Sequence, residues 1–283
     1  MLSDLHLHLR PDDPDAPAED YYCAANAERY REAAEERGID ELGVSEHVYR
    51  FTQALEVWSH PLWQRFAHDD LDAYCGAVRE CTDLLLGLEV DFIPGREQQI
   101  SRLLEGRSFD YLVGSVHFLG DEALDMDEFS VWEPVSARAP EEVWERYFQT
   151  IAASARSGLY DIIAHPDLVK FWGDPGRVPG GDLRRYYEPA VEAFADSGVA
   201  VELSTAGLRK PAGELYPAPA FLELCVQAGI PVALSSDAHQ PADVGAGYEQ
   251  ALGLLERLGV GELARFRNRV RTMAPIGAGQ HAG

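Results

Sequence analysis

Seven short apolar runs, each followed by a longer polar-apolar stretch, constrain the fold of this chain more than any other feature. They lie at 2–8, 41–47, 84–90, 110–118, 160–165, 199–204 and 231–237. Nearly continuous apolar runs are typical of strands that are covered on both faces, and strands that alternate with helices pair in parallel. The sequence therefore predicts an α/β fold built on parallel strands.

The stretches between the runs have the apolar spacing of amphipathic helices. They lie at 26–38, 70–84, 97–106, 141–158, 182–198, 218–229 and 248–259. Because the chain has seven strands and no glycine-rich dinucleotide loop, closure into a barrel fits better than an open doubly wound sheet. Two inserts rich in Trp, Pro and acidic residues, 48–69 and 119–140, are expected to form loops over the mouth of the barrel.

Length and composition are those of one globular unit. The chain has 283 residues, 46% of them hydrophobic, and we expect one domain over 1–268 with a flexible C-terminal tail over 269–283.

The absence of a long apolar run and of a signal-like N-terminus predicts a cytoplasmic protein. Buried, unpaired thiols are expected at the four cysteines, which lack C-x-x-C spacing: Cys23, Cys75, Cys81 and Cys225.

The charge balance excludes some classes of partner. The chain has 24 basic and 48 acidic residues, a net charge of −24, whereas nucleic acids and anionic membranes are bound by clustered Lys and Arg. We therefore predict neither partner. A small phosphorylated substrate stays compatible, because metals and a few basic residues reverse the field inside a pocket. The sequence leaves open whether the protein is a monomer or a homo-oligomer.

Histidines and acids stand at the C-terminal ends of the apolar runs. His6 and His8 close the first run, and alternate side chains of a strand point to the same side. In parallel barrels the C-terminal strand ends form one rim, which carries the active site. The other polar residues at these ends are Glu46, His47, Glu89, Asp91, His117, His165, Asp237 and His239.

Taken singly, these residues have simpler explanations. His117 could be a hydrogen-bonded structural histidine, and His165 could serve only the extended backbone expected before Pro166. Glu89 is harder to explain, because a carboxylate among leucines is costly unless it is paired or metal-bound. Imidazoles and carboxylates without thiolates suit Zn, Mn or Fe. Eight donors exceed the needs of one ion, so the residues predict a hydrolase of phosphate esters with two or three divalent metal ions.

Several motifs carry a family resemblance: HLH, SEH, GLEVDFIPG, DYLVGSVHFLG, IAHPDLVK, STAGLRKP and SSDAH. From Leu2 to Gly259 the chain resembles the polymerase-and-histidinol-phosphatase superfamily, and within it the monofunctional histidinol-phosphate phosphatases. The resemblance implies a distorted (β/α)7 barrel with a trinuclear metal centre at the rim. It also implies hydrolysis of L-histidinol phosphate to L-histidinol and phosphate, in histidine biosynthesis, by a hydroxide that bridges two metal ions.

The resemblance also implies a ligand set. The first metal would take His6, His8, Glu89 and Asp237, the second Glu89, His117 and His165, and the third His47 and His239. Relatives have a further ligand, often His, shortly after the first two histidines. Here that stretch has no His, and we expect Asp13 to replace it, with Asp12 and Asp15 as alternatives. The expected catalytic residues are Asp237, His239 and Glu89.

Basic residues beside the strand ends are candidates for binding phosphate, because guanidinium and ammonium groups match its oxygens. These candidates are Arg209, Lys210 and Lys170. The alternative explanation is a basic patch that ties a loop to acidic neighbours. The imidazole and ammonium groups of histidinol would need acidic or aromatic partners, for which Glu46, Tyr216 and the 48–69 insert are candidates.

Two other functions stay open at this point. One is a phosphoesterase of the same superfamily that acts on another small phosphate ester, a nucleotide or phosphotyrosine. The other is a metal-binding regulatory domain without catalysis, whose expected signature is the loss of metal ligands.

Overall fold

The computed structural model describes residues 1–133 and 138–277. Its α-helices are α1 Ala18–Tyr21, α2 Ala24–Glu36, α3 Pro61–Phe66, α4 Leu71–Cys81, α5 Glu97–Leu104, α6 Pro140–Arg156, α7 Arg184–Ser197, α8 Pro219–Gln227 and α9 Tyr248–Arg257. The seven predicted helices are confirmed as α2 and α4 to α9. Within the described residues, no helix combines the length and hydropathy that crossing a bilayer requires.

Each of the seven apolar runs contains a strand, and the third run contains two, β3 and β4. The strands are β1 Ser3–Asp4, β2 Glu41–Val44, β3 Leu85–Leu86, β4 Glu89–Asp91, β5 Val113–Ser115, β6 Phe118–Leu119, β7 Glu122–Ala123, β8 Ile162–Ile163, β9 Ala200–Ser204, β10 Val232–Ser235, β11 Glu262–Arg267 and β12 Val270–Pro275.

The strands of the apolar runs form two parallel sheets, in the orders β1-β2-β3 and β10-β9-β8-β5-β4. The prediction of an α/β fold with parallel strands is confirmed. Isolated parallel bridges link the two sheets, one between Leu7 and Ala238 and one between His47 and Glu89. Because the strands run in the same direction, their carboxyl ends come together.

The aromatic ring of Tyr111 is fully buried in an apolar cluster that includes Leu85 of β3 and Val113 of β5. A Cβ atom at Gly43 or at Gly87 would overlap this ring. Glycine has no Cβ atom. At these two positions it therefore lets β2 and the segment between β3 and β4 approach the ring of Tyr111 closely.

The antiparallel hairpin β11–β12 corrects the predicted tail over 269–283. The two strands pair along their whole length, so the prediction is wrong for the residues of β12, and a boundary at 268 would cut the hairpin. Ala264 and Phe266 of β11 are buried against apolar side chains of the parallel strands. This burial holds β11 in place, and β12 is fixed by pairing with it. Residues 278–283 lie outside the described part of the chain.

The two inserts contain more regular structure than loops. The first includes α3 and two short 3₁₀ segments, Val48–Arg50 and Thr52–Glu56, and the second includes the hairpin β6–β7. Residues 134–137 of the second insert lie outside the described residues.

The four cysteines are unpaired, as predicted. Cys225 is buried, whereas Cys23 and Cys75 are half-buried and Cys81 is exposed. The prediction of buried thiols is therefore wrong for Cys81, which ends α4 on its solvent side.

Candidate metal centre

The extension of β1 delivers two imidazoles to one side of the strand. His6 and His8 are both buried, while Leu7 between them packs in the hydrophobic core. His6 Nε2 lies 3.4 Å from Glu89 Oε2, and His8 Nε2 lies 3.2 Å from Asp237 Oδ1. The period of two in the sequence thus places both rings beside the acids of other strands.

Three adjoining groups of ligand atoms form at the carboxyl ends of the strands, each with its atoms within 4.8 Å of one another. The groups are His6, His8 and Glu89; Glu89, His117 and His165; and His8, His47 and His239. Asp237 Oδ1 lies beside the first of these groups, 3.2 Å from His8 Nε2 and 3.8 Å from His6 Nε2. The structure therefore brings together eight of the nine predicted ligands.

Unpartnered buried atoms show that these residues fit metal ions. His6 Nε2, His8 Nε2, Glu89 Oε2 and Asp237 Oδ1 have no hydrogen-bond partner in the described part of the chain. Buried polar atoms without partners are costly, and bound cations would satisfy all four at once. A donor set of imidazole nitrogens and carboxylate oxygens suits Zn, Mn or Fe.

The electrostatics of the group also favour cations. Burial opposes ionisation of Glu89, but the neighbouring His47 and His6 hold its pKa well below the usual range. Burial opposes protonation of His117, yet Asp91 and Glu89 raise the pKa of this imidazole to about 10. The carboxylate of Glu89 therefore stays charged and attracts positive charge to the cluster.

Glu202 on β9 supports the cluster from behind and was missed by the sequence analysis. His6 Nδ1 donates to Glu202 Oε1 at 2.7 Å, and the backbone N–H of His165 donates to Glu202 Oε2 at 2.6 Å. Ser235 Oγ donates to Oε1 at 2.6 Å. A carboxylate bonded to one ring nitrogen fixes the orientation of the imidazole and leaves the other nitrogen for a metal. The available signal was an acid inside the apolar run VAVELS.

Two further acids have similar supporting positions. Asp91 accepts a hydrogen bond from His117 Nδ1 at 2.7 Å. Glu46 is fully buried, accepts from the backbone N–H of Leu9 at 2.6 Å and lies 3.2 Å from Arg50 Nε. Glu46 has no exposed surface and is not among the residues that line the cavity over the cluster, so the structure gives no support to the expectation that this acid contacts substrate.

The backbone at two of the candidate ligands has positive φ, 24° at His165 and 50° at Asp237. Residues other than glycine adopt this region rarely and at a cost, and such residues cluster at functional sites. The extended backbone expected for His165 before Pro166 is therefore not found. The cluster and its supporting hydrogen bonds hold both residues in this conformation.

The ninth predicted ligand, Asp13, is corrected by the structure. Asp13 is exposed and accepts from the backbone N–H of Asp15 at 3.0 Å. Asp12 is the acid beside the cluster, with Oδ2 3.4 Å from His239 Nε2. The reason is the buried Arg50, which donates to Asp12 Oδ1 at 2.7 Å and holds that side chain toward the histidines.

A cavity of about 450 Å³ opens over the cluster. The first insert contributes Tyr49 and Phe66 to its wall, and the second contributes Asp125 and Met126. The described parts of both inserts therefore cover the site, as the sequence predicted.

The three candidate phosphate-binding residues separate in the structure. Lys210 lines the cavity. Arg209 Nη2 donates to the backbone oxygen of Ser236 at 2.6 Å, and Lys170 Nζ donates to Glu214 Oε2 at 2.8 Å. These contacts fit the alternative explanation, a basic residue that ties protein segments together, and the roles of Arg209 and Lys170 in phosphate binding stay predictions.

Sequence comparisons find similar proteins over most of the chain. The PHP domain family matches residues 20–206. A probable histidinol-phosphatase of Deinococcus radiodurans is 33% identical over 257 residues, which cover 88% of this chain and 93% of that protein. A histidinol-phosphatase of Bacillus subtilis is 31% identical over 243 residues, which cover 79% of this chain and 91% of that protein.

Two solved structures have a similar fold. A histidinol phosphate phosphatase of Lactococcus lactis, in complex with zinc, L-histidinol and phosphate, matches with a TM-score of 0.68 at 18% identity, over 96% of this chain and 98% of that chain. A putative histidinol phosphatase of Listeria monocytogenes matches with a TM-score of 0.67 at 20% identity, over 88% of this chain and 99% of that chain.

Proposed function

The chain belongs to the PHP domain family, and we propose that it is a metal-dependent histidinol-phosphatase that hydrolyses L-histidinol phosphate to L-histidinol and phosphate. The observation that carries this proposal is the meeting of eight imidazole and carboxylate ligands beneath one cavity. The relatives that are 33% and 31% identical, both named histidinol-phosphatases, support the choice of substrate.

We propose further that the parallel strands close into a distorted (β/α)7 barrel. The Leu7–Ala238 and His47–Glu89 bridges support closure, because the first links the extension of β1 to that of β10 and the second links the extension of β2 to β4. The candidate ligands would then occupy the rim formed by the carboxyl ends of the strands, which is where parallel barrels carry their active sites.

The proposed cofactors are two or three divalent ions, Zn, Mn or Fe. The proposed ligands are His6, His8, Glu89 and Asp237 for the first ion, Glu89, His117 and His165 for the second, and His47, His239 and Asp12 for the third. When bound at such a site, divalent ions activate water as a nucleophile and neutralise charge on the phosphoryl oxygens.

The cavity walls supply the remaining functions. Lys210 is the proposed phosphate-binding residue, because its ammonium group adds positive charge to the cavity wall, whereas the guanidinium group of Arg65 in the same wall pairs with Glu128. Asp237 and His239 border the cavity, with Glu89 buried beside them, and these three stay the proposed catalytic residues. The four unpaired thiols support the proposed cytoplasmic location.

The test is a comparison of substrates with the purified, metal-loaded protein. We expect kcat/KM to be higher for L-histidinol phosphate than for p-nitrophenyl phosphate or mononucleotides. His117→Ala should abolish activity, whereas His68→Ala, which changes an exposed histidine outside the cluster, should retain it. Equal kcat/KM values would instead support a phosphoesterase of other specificity. Full metal occupancy without hydrolysis would support a regulatory domain.

A further inference from the structure

The second insert fixes one acidic residue in the wall of the cavity. The backbone N–H of Leu124 donates to the backbone oxygen of His117 at 2.9 Å, and Trp172 Nε1 donates to the backbone oxygen of Leu124 at 2.7 Å. Asp125 follows directly and lines the cavity. Two hydrogen bonds of the preceding residue, Leu124, thus hold this part of the insert beside a candidate metal ligand.

The carboxylate of Asp125 has an unmet need for a partner. Its Oδ1 atom is buried and accepts no hydrogen bond from the described residues. Burial raises the pKa of Asp125, and His117 and His165 oppose this shift only in part. Glu128 of the same insert differs, because Arg65 Nη2 pairs with it at 2.7 Å. A buried carboxylate oxygen without a donor is costly, so a donor from a ligand would be favourable.

The proposed substrate has a donor suited to this position. In L-histidinol phosphate the ammonium group is on the carbon next to the one that carries the phosphate ester. A phosphate held at the metal cluster therefore keeps the ammonium group close to the cluster. Charge-assisted hydrogen bonds between an ammonium group and a carboxylate are among the stronger polar contacts in proteins. Asp125 lines the same cavity as His117 and His165 of the cluster, so its carboxylate faces the space in which the substrate would be held.

We propose, resting on the proposed function, that Asp125 binds the ammonium group of the substrate and thereby selects amino-alcohol phosphates over phosphate esters without a cation. This assigns the substrate cation to the second insert. The candidates that the sequence offers for this role are Glu46, Tyr216 and the first insert.

The test uses Asp125→Asn, which keeps the size of the side chain and removes its charge. The control is Asp121→Asn, which removes the same charge from an exposed position of the same insert. We expect Asp125→Asn to lower kcat/KM for L-histidinol phosphate about 10- to 100-fold, the effect of one hydrogen bond between charged groups. The value for p-nitrophenyl phosphate, which has no ammonium group, should stay within about twofold. Asp121→Asn should leave both values unchanged.

A binding measurement separates this role from a catalytic one. L-Histidinol binding to the metal-loaded protein, measured by calorimetry, should weaken by the same factor in Asp125→Asn, with unchanged metal content and unchanged inhibition by inorganic phosphate. Asp125→Glu, which restores the charge, should recover part of the affinity. An equal loss for both substrates, or no loss for either, would overturn the role of Asp125. If the wild-type protein has no preference for L-histidinol phosphate, the proposed function itself fails, whatever the variants do.

Discussion

Replacing Glu202 by glutamine removes the charge behind His6 while the side chain keeps its volume. Glu202 accepts three hydrogen bonds, at 2.7 Å from His6 Nδ1, 2.6 Å from the backbone of His165 and 2.6 Å from Ser235. Glutamine replaces one of the two accepting oxygens by an NH2 group, which donates and cannot accept, so the two N–H donors cannot both keep their partners. The imidazole of His6 then loses its fixed orientation, and we expect zinc to bind more weakly.

The magnitude follows from these contacts. A hydrogen bond to a charged group contributes about 1.5–3 kcal/mol, and about 1.4 kcal/mol corresponds to a factor of ten in affinity. Loss of one such bond therefore predicts a zinc affinity about 10- to 100-fold lower, the range that carboxylates bonded to metal-ligating histidines generally contribute.

The assay is a competition between the metal-free protein and a fluorescent zinc chelator. Ser235→Ala, which removes one neutral donor from Glu202, should lower the affinity only about fivefold, the equivalent of about 1 kcal/mol. Glu41→Gln is a control at the first residue of β2, away from the carboxyl ends of the strands, because Glu41 pairs with Arg265 of the hairpin, and it should leave zinc binding unchanged. A zinc affinity of Glu202→Gln equal to that of the wild type would refute the reasoning.

Three further predictions follow from the geometry. Asp12→Asn should reduce the number of bound metal ions measured by elemental analysis, whereas Asp13→Asn should not; equal metal contents would contradict the assignment of Asp12. Lys210→Gln should raise the inhibition constant of inorganic phosphate about tenfold, because one charged contact is lost; an unchanged constant would exclude this lysine from phosphate binding. Phe266→Ala should lower the free energy of unfolding by about 3–5 kcal/mol. Val270→Ala changes a residue that is 63% exposed, so it should change the free energy of unfolding, measured with urea, by less than about 0.5 kcal/mol. Similar losses of unfolding free energy in Phe266→Ala and Val270→Ala would contradict the burial of β11.

The parallel strands and most ligands could be predicted because their signals are local. An apolar run followed by a helical period identifies each unit, and parallel pairing then brings the run ends together. Glu89 was recognisable as an acid among leucines. Glu202 has the same local signal, an acid inside an apolar run, but its partner His6 is 196 positions away and became visible only in the structure.

The errors have long-range causes. Whether Asp12 or Asp13 faces the cluster is decided by Arg50, which is 38 positions from Asp12 in sequence. The hydrogen bond that Lys170 Nζ donates to Glu214 likewise joins residues that are 44 positions apart. Spacing within a motif has no information about such partners, because they approach through the fold.

The order of synthesis gives the hairpin β11–β12 a further consequence. Its strands leave the ribosome after every other strand, yet Phe266 covers apolar side chains that include Leu5 and Ile162. The bridge between Leu7 and Ala238 likewise joins early and late segments. Until β11 and β12 have left the ribosome, the nascent chain exposes this apolar surface to water. Prematurely terminated products that lack the hairpin therefore become targets for aggregation and for chaperones.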